Sequence, residues 1–236
     1  MNFFEKVYSK FFDKAYLNQK ISYSQCGEDL IVDFLLTWVL KIKNPTYLDV
    51  GAHDPFNFNN TYLFYKRGAR GVSIEPDPEL FSRIAKYRPY DVNINRGVGI
   101  SNVNDSKDFY IMSSRTLNTF SKTEAERMSR LENIKIDAVQ KIELVHINEI
   151  VDQYFGQKNL DFLSIDVEGW DLQILKSMNF NKCRPNVICV ETIIFDGGRK
   201  IEKNQSAIDF LLSKAYIIYA DTSINTIFVS AELLNS

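Results

Sequence analysis

A loop of small and polar residues follows the first strand-like segment of the chain. Residues 47–50 are mainly apolar, and Gly51-Ala52-His53-Asp54 come directly after them. In open α/β sheets, ligands bind outside the carboxyl ends of the strands, and a glycine there permits a sharp turn and close ligand approach. A dinucleotide loop needs G-x-G-x-x-G, whereas His53 and Asp54 fill positions that should leave room for a pyrophosphate. The loop therefore favours a ligand without phosphates, such as S-adenosylmethionine.

An acidic residue ends the second strand-like segment, residues 71–74. Glu75 at this point can accept hydrogen bonds from both hydroxyls of a ribose, as in nucleotide-binding folds. The following Pro76-Asp77-Pro78 also fits a helix-capping turn, because Asp is a good N-cap and proline suits a first helical turn. Behind a glycine loop at this spacing, we interpret Glu75 as a cofactor ligand, with Pro76 beside it.

Two later strand-like segments, 161–165 and 186–190, also end in acidic residues. Asp166 and Glu168 follow the first of them, and Glu191 follows the second. Buried carboxylates are costly unless they are paired, hydrogen-bonded or metal-bound. Oxygen ligands from Asp166 and Glu191 could hold a hard cation such as Mg²⁺, which would polarise and orient a substrate hydroxyl. A hydrogen-bonded acid without a metal is the alternative.

The chain has two histidines, His53 and His146. His53 lies in the glycine loop, and an imidazole that titrates near neutral pH suits a general base. A loop histidine that positions the cofactor is the alternative for His53. Glu168 is the second candidate base, and Asp166 is a candidate for orienting the acceptor. His146 lies in the strand-like run 142–147, and we expect it to be structural.

Strand-like segments alternate with helical patterns along most of the chain. Further strands are expected at 92–94, 215–219 and 226–229, and helices at 28–41, 60–66, 78–86, 147–155, 171–176 and 205–214. This alternation predicts an α/β fold with a doubly wound, mainly parallel sheet covered on both faces. The 236 residues contain no internal repeat or low-complexity linker, which indicates a single domain over 1–236.

Two segments depart from that alternation. Residues 1–22 place apolar side chains three and four apart, which predicts an amphipathic helix. Such a helix could pack on the domain, form a homodimer contact, or lie on a membrane surface. Residues 102–142 form an insertion, and insertions of this size over a sheet edge are often functional. We predict that residues 102–142 are a substrate lid.

The charge and cysteine content of the chain limit its expected partners and cellular location. The formal net charge of −2 disfavours a nucleic-acid partner, which usually needs a strongly basic face. The three cysteines, Cys26, Cys183 and Cys189, show no zinc or disulfide spacing, so we expect a cytoplasmic location. No signal peptide is visible, and the longest mainly apolar run, residues 30–40, is too short to span a bilayer. We therefore expect no stable membrane insertion.

Taken together, these motifs resemble the FkbM family of methyltransferases. The resemblance runs from about residue 23 to residue 229 and is carried by segments 23–29, 48–55, 60–61, 71–76, 164–169 and 225–229. It implies a class I, Rossmann-like methyltransferase fold with an N-terminal helical cap and a seven-stranded sheet whose last strand is antiparallel. It also implies methyl transfer from S-adenosylmethionine to an oxygen, commonly on a sugar or a secondary metabolite.

The resemblance further implies roles for individual residues. Asp49, Gly51, Ala52 and His53 would line the methionine end of the cofactor. Glu75 would hold the ribose, and Gly97 and Val98 would border the adenine. Asp166 would face the cofactor amine or a metal. Gln25 and Asp29 would come from the N-terminal cap. The insertion lies where such proteins vary, so the acceptor pocket cannot be carried over.

We therefore predict an O-methyltransferase that acts on a hydroxyl of a sugar, sugar nucleotide or glycan, in bacterial surface polysaccharide biosynthesis. S-adenosylmethionine is the expected cofactor, with Mg²⁺ as a candidate second one. One alternative is a methyltransferase of a secondary metabolite or other small molecule. Another is a non-catalytic cofactor-binding homologue that acts as a partner subunit, although Asp49, Gly51 and Glu75 argue against it.

Overall fold

The computed structural model describes residues 19–100, 105–130, 133–156, 159–194 and 202–234. The strands are β1 Tyr47–Val50, β2 Gly71–Ile74, β3 Val92–Ile94, β4 Gly97–Gly99, β5 Ser106–Met112, β6 Ile136–His146, β7 Phe162–Ile165, β8 Val187–Glu191, β9 Ile193–Ile194, β10 Glu202–Lys203, β11 Tyr216–Asp221 and β12 Asn225–Ser230. The helices are α1 Glu28–Phe34, α2 Tyr62–Lys66, α3 Pro78–Tyr87, α4 Lys122–Met128, α5 Ile147–Phe155, α6 Asp171–Ser177, α7 Gln205–Ser213 and α8 Ala231–Leu234.

A seven-stranded sheet forms the centre, in the order β11-β12-β8-β7-β1-β2-β3. Strand β12 is antiparallel to both of its neighbours, and the other pairs are parallel. The strand order reverses between β1 and β7. In sheets of this kind, ligands bind at this switch point. The predicted doubly wound, mainly parallel sheet with an antiparallel last strand is confirmed.

Alternate residues of the central strands enter two separate cores. Leu48 and Val50 of β1 belong to one apolar cluster, while Tyr47 and Phe162 belong to the other. This follows from the two-residue period of a strand. Because both faces are covered, β1 and β7 are buried along their whole length, which explains why they read as apolar runs in the sequence.

The N-terminal part differs from the sequence prediction in detail. Residues 1–18 lie outside the described residues, so the predicted helix over 1–22 and its homodimer contact are not described, and residues 19–22 have no helical structure. The helix predicted over 28–41 divides into α1 and a π-helical turn, Leu35–Val39. Buried Glu28 accepts hydrogen bonds from Thr222 Oγ1 at 2.7 Å and Asn225 Nδ2 at 3.0 Å, which ties α1 to β12.

The insertion folds as a hairpin, with α4 in its connection. Strands β5 and β6 pair antiparallel, and β6 also pairs parallel with β4. The second strand begins at Ile136, six residues before the strand-like run 142–147, because Asp137, Gln140 and Lys141 are exposed polar residues that hide its first half from the apolar pattern. Arg115 of the insertion forms ion pairs with Asp77 and Glu79 at the start of α3, so the insertion is attached beside the end of β2.

No helix in the part of the chain that the structure describes is long and apolar enough to cross a membrane.

Candidate active site

A cavity of about 480 Å³ opens at the carboxyl ends of β1, β2 and β7. This volume lies in the range of roughly 300–1,000 Å³ that small-molecule sites occupy. Most of the residues predicted from the sequence line it: Gln25, Gly51, His53, Glu75, Pro76, Gly97, Val98, Asp166, Glu168 and Glu191. Asp29, Asp49 and Ala52 are not among the lining residues.

Gly51 brings two strand ends into direct contact. Its φ of 83° lies in the left-handed region, and the N–H groups of Gly51 and Ala52 both donate to the carbonyl of Ile74 at 3.0 Å. A Cβ atom at Gly51 would lie 1.9 Å from the backbone oxygen of Asp166. Only glycine fits here, and its absent side chain leaves the cavity open between the ends of β1 and β7.

Glu75 is held in place by the backbone around it. Its Oε2 accepts the N–H of His53 and its Oε1 accepts the N–H of Asp77, each at 2.8 Å. Burial raises the pKa of Glu75 to about 8. Each carboxylate oxygen has a second lone pair, so the group can still accept hydrogen bonds from a diol in the cavity. This geometry fits the ribose role expected for Glu75.

Asp49 points away from the cavity into a buried polar network. It accepts hydrogen bonds from Thr61 Oγ1 at 2.6 Å and Asn59 Nδ2 at 3.3 Å, and Arg88 Nη1 lies 3.8 Å from it. Burial raises the pKa of Asp49, and the Arg88 charge opposes that rise. Asp49 therefore supports the glycine loop from behind rather than lining the cavity.

Arg88 is a central residue of this network that the sequence analysis missed. Its side chain is fully buried and forms an ion pair with Asp91 at 2.7 Å. Tyr47 donates its hydroxyl to Asp91 at 2.7 Å, and Arg88 donates to Thr61 Oγ1 at 2.9 Å. The guanidinium thus links the start of β1, the segment before α2 and the end of α3.

Asp29 also has a supporting role. Its carboxylate accepts hydrogen bonds from Ser22 Oγ at 2.6 Å, the N–H of Tyr23 at 2.8 Å and Ser24 Oγ at 2.9 Å. These bonds fold the segment before α1 into a fixed turn. Gln25, which that turn carries, lines the cavity.

Asp166, Glu168 and Glu191 form a carboxylate cluster. Each offers a carboxylate oxygen, and the three oxygens lie within 4.8 Å of one another. Burial, together with repulsion from Asp171, Asp49 and Glu28, raises the pKa of Asp166 to about 7. Burial and repulsion from Asp166 hold the pKa values of Glu168 and Glu191 well above their ordinary range. The cluster can share protons or hold a hard cation through its oxygens.

The sequence predicted two members of the cluster as a metal site and assigned Glu168 only as a base. Glu168 joins them because its backbone adopts a left-handed φ of 51°, followed by Gly169 at 100°. The Glu168-Gly169 pair is the one sequence signal for this turn, because glycine favours positive φ.

His53 lines the cavity from a strained backbone. Its φ is 52°, and its buried Nδ1 has no hydrogen-bond partner among the described residues. Burial lowers the pKa of His53, which favours the neutral imidazole able to accept a proton. His146 instead accepts the N–H of Asn148 at 3.2 Å and caps α5.

The insertion supplies one wall of the cavity. Phe120 lies 4.7 Å from Phe109 and 5.5 Å from Trp170 between ring centroids, and a Cβ atom at Gly97 would lie 2.3 Å from its ring. Asn118 donates to Asp77 at 3.0 Å. The sequence predicted a substrate lid over residues 102–142, but it did not indicate these particular contacts.

The strand order, the antiparallel strand β12 and the glycine turn after β1 are those of a class I, Rossmann-like methyltransferase fold. The family model described as the methyltransferase FkbM domain matches residues 49–218. The chain therefore belongs to the FkbM family of S-adenosylmethionine-dependent methyltransferases, as the sequence motifs indicated.

Two solved structures are similar to the chain over most of its length. One is a TehB-like SAM-dependent methyltransferase from Corynebacterium glutamicum, with 9% identity, a TM-score of 0.42, and coverage of 96% of this chain and 97% of that chain. The other is an O-methyltransferase from Bacillus cereus in complex with SAH, with 11% identity, a TM-score of 0.42, and coverage of 95% and 89%. No curated protein matches the chain.

Proposed function

We propose that the protein is a cytoplasmic O-methyltransferase that methylates a hydroxyl of a sugar, sugar nucleotide or glycan in bacterial surface polysaccharide biosynthesis. The observation that carries this proposal is the carboxylate cluster in the cavity that Glu75 also lines. In this cluster a protonated carboxyl can hydrogen-bond a hydroxyl, while an ionised carboxylate of raised pKa can take its proton. A secondary-metabolite hydroxyl is the second candidate acceptor.

The described residues fit the cofactor. Glu75 would hold the ribose, Gly97 and Val98 with Pro76 would border the adenine, and the Gly51–His53 loop would face the methionine end. Asp166 and Gln25 would face the amino-acid end, while Asp49, Ala52 and Asp29 hold these segments from behind. When bound, S-adenosylmethionine supplies an electrophilic methyl group, and its sulfur keeps the electron pair of the broken bond.

His53 and Glu168 are the two groups we propose as general base, and Asp166 would orient the acceptor. Replacing each candidate base with glutamine separates them. The base variant should lose about 10²–10⁴-fold in kcat, with S-adenosylhomocysteine binding unchanged. A loss of cofactor binding together with kcat would instead make that residue a positioning residue.

We further propose Asp166 and Glu191 as ligands of a Mg²⁺ ion that orients the acceptor hydroxyl, with Glu168 as a third ligand where His53 is the base. Cation binding displaces protons from such ligands. Since the pKa of Asp166 is raised to about 7, Mg²⁺ affinity should increase as the pH rises from about 6 to about 8.

Transfer of an isotopically labelled methyl group from S-adenosylmethionine to glycosides, analysed by mass spectrometry, tests this function. We expect label on an oxygen, loss of activity in excess EDTA, and recovery with added Mg²⁺. Full activity in EDTA would reject the metal while leaving the transferase. Label on nitrogen or carbon would contradict the hydroxyl assignment.

A further inference from the structure

A second, smaller cavity adjoins the larger one at two members of the carboxylate cluster. It has a volume of about 190 Å³. Glu168, Glu191 and Ile193 line both this cavity and the larger one. Glu168 and Glu191 therefore border both spaces, and a group held in the smaller one would lie next to the larger one at these two carboxyl groups.

The walls of the smaller cavity combine an apolar face with fixed polar groups. Ile193 and Ile194 of β9 form the apolar part, and Asn204, before α7, forms a polar part. Asn204 uses its oxygen to cap α7 through the N–H of Ala207, and its amide nitrogen donates to no described residue. An apolar face together with an available amide donor suits a sugar ring, which has C–H faces and a hydroxyl edge.

The charged side chains of the smaller cavity limit the class of ligand that it can bind. Glu124, Glu168, Asp171 and Glu191 all line the smaller cavity, and Arg127 faces them. Arg127 is already engaged in an ion pair with Glu124 on α4. Asp171 is committed to the backbone, accepting the N–H groups of Val167 and Gly169 at 3.2 and 3.3 Å. With Arg127 engaged by Glu124, the lining that the structure describes offers a phosphate no other basic side chain, and burying a phosphate without a cation is costly.

Size limits how much of an acceptor can enter. The cavity is smaller than the roughly 300–1,000 Å³ of sites that enclose a drug-sized ligand. It can enclose one ring, while the remainder of a larger acceptor would stay outside.

We propose that the smaller cavity is the acceptor subsite and takes one uncharged, hydroxyl-rich ring. This inference rests on the proposed function, because it places the hydroxyl to be methylated at Glu168 and Glu191. It favours a neutral glycan end over a sugar nucleotide, whose diphosphate is attached to the ring itself.

The test fills the smaller cavity without touching the larger one. Ile194 lines the smaller cavity alone and is 43% exposed, so Ile194→Trp should fold and block the subsite. Ile217, on β11, is 42% exposed and lines neither cavity, which makes Ile217→Trp the matched control. The probes are methyl glycosides of neutral hexoses, the corresponding hexose phosphates, and amino-sugar glycosides.

Ligand-observed NMR on protein saturated with S-adenosylhomocysteine gives the readout. We expect a neutral glycoside to bind, its affinity to fall at least about tenfold in Ile194→Trp, and no change in Ile217→Trp. Equal binding by Ile194→Trp, preference for the phosphorylated or amino sugars, or no glycoside binding by a cofactor-loaded protein would overturn the subsite. Failure of all three proteins to bind S-adenosylhomocysteine would instead overturn the proposed function, and the subsite with it.

Discussion

Replacing Gly51 with alanine is expected to abolish measurable binding of S-adenosylhomocysteine and to destabilise the fold by at least about 2 kcal/mol. A left-handed backbone costs a non-glycine residue about 1–2 kcal/mol. The added Cβ would also lie 1.9 Å from the Asp166 backbone oxygen and 3.3 Å from Val167 Cγ1. Relief of that clash must move the end of β7, which carries Asp166 and Glu168.

Gly68→Ala is the control for the backbone cost. Gly68 has a φ of 103°, and a Cβ atom there would meet nothing within 4 Å. The Gly68→Ala variant should lose only about 1–2 kcal/mol of unfolding free energy and bind the cofactor normally. Urea unfolding and calorimetric titration measure the two effects. Near-normal cofactor binding by Gly51→Ala would show that the loop does not need the close approach at this residue.

Replacing Arg88 with methionine should destabilise the protein by about 3–5 kcal/mol, the usual cost of removing one partner of a buried ion pair. The side chain is fully buried against Asp91 and lies near Asp49. Its loss leaves both carboxylates without a cation. Because Asp49 supports the glycine loop, cofactor affinity should also fall.

Arg83→Met, within α3, provides the comparison with Arg88, which follows the last residue of that helix. Arg83 bonds to Asp54 at 2.8 Å, but its side chain is 47% exposed, and exposed pairs contribute about 0–1 kcal/mol. Arg88→Lys should be intermediate, since lysine keeps the charge but not the forked geometry. Equal urea midpoints for Arg88→Met and Arg83→Met would contradict a structural role for the buried network.

The fold could be predicted from the sequence because its central strands are buried on both faces. Strands β1, β2 and β7 read as apolar runs, and each is followed by polar residues or glycine at the edge of the sheet. Gly51 and Glu75 were predicted as site residues because a glycine and an acid directly after buried strands indicate a sharp turn and a hydrogen-bond acceptor at the edge of the sheet. Strand alternation does not depend on distant contacts, so it is visible in the sequence.

The direction of individual side chains depended on partners that are distant in sequence. The two-residue period places Asp49 on the face of Tyr47, but only the position of Arg88 explains how a carboxylate is tolerated there. Glu168 reaches the carboxylate cluster through a left-handed turn. The sequence suggests such a turn through Gly169 but does not fix its direction. The insertion's contacts depend on how its hairpin packs, which no local pattern encodes.

Calorimetric titration of the purified protein with S-adenosylhomocysteine, without acceptor, tests the central claim most directly. We expect binding in the micromolar range for the wild-type protein, at least about tenfold weaker binding for Glu75→Gln, and no change for Glu79→Gln, whose side chain is 70% exposed on the same turn. Absence of binding by the folded wild-type protein, or equal binding by Glu75→Gln, would contradict the assignment of this cavity to the cofactor.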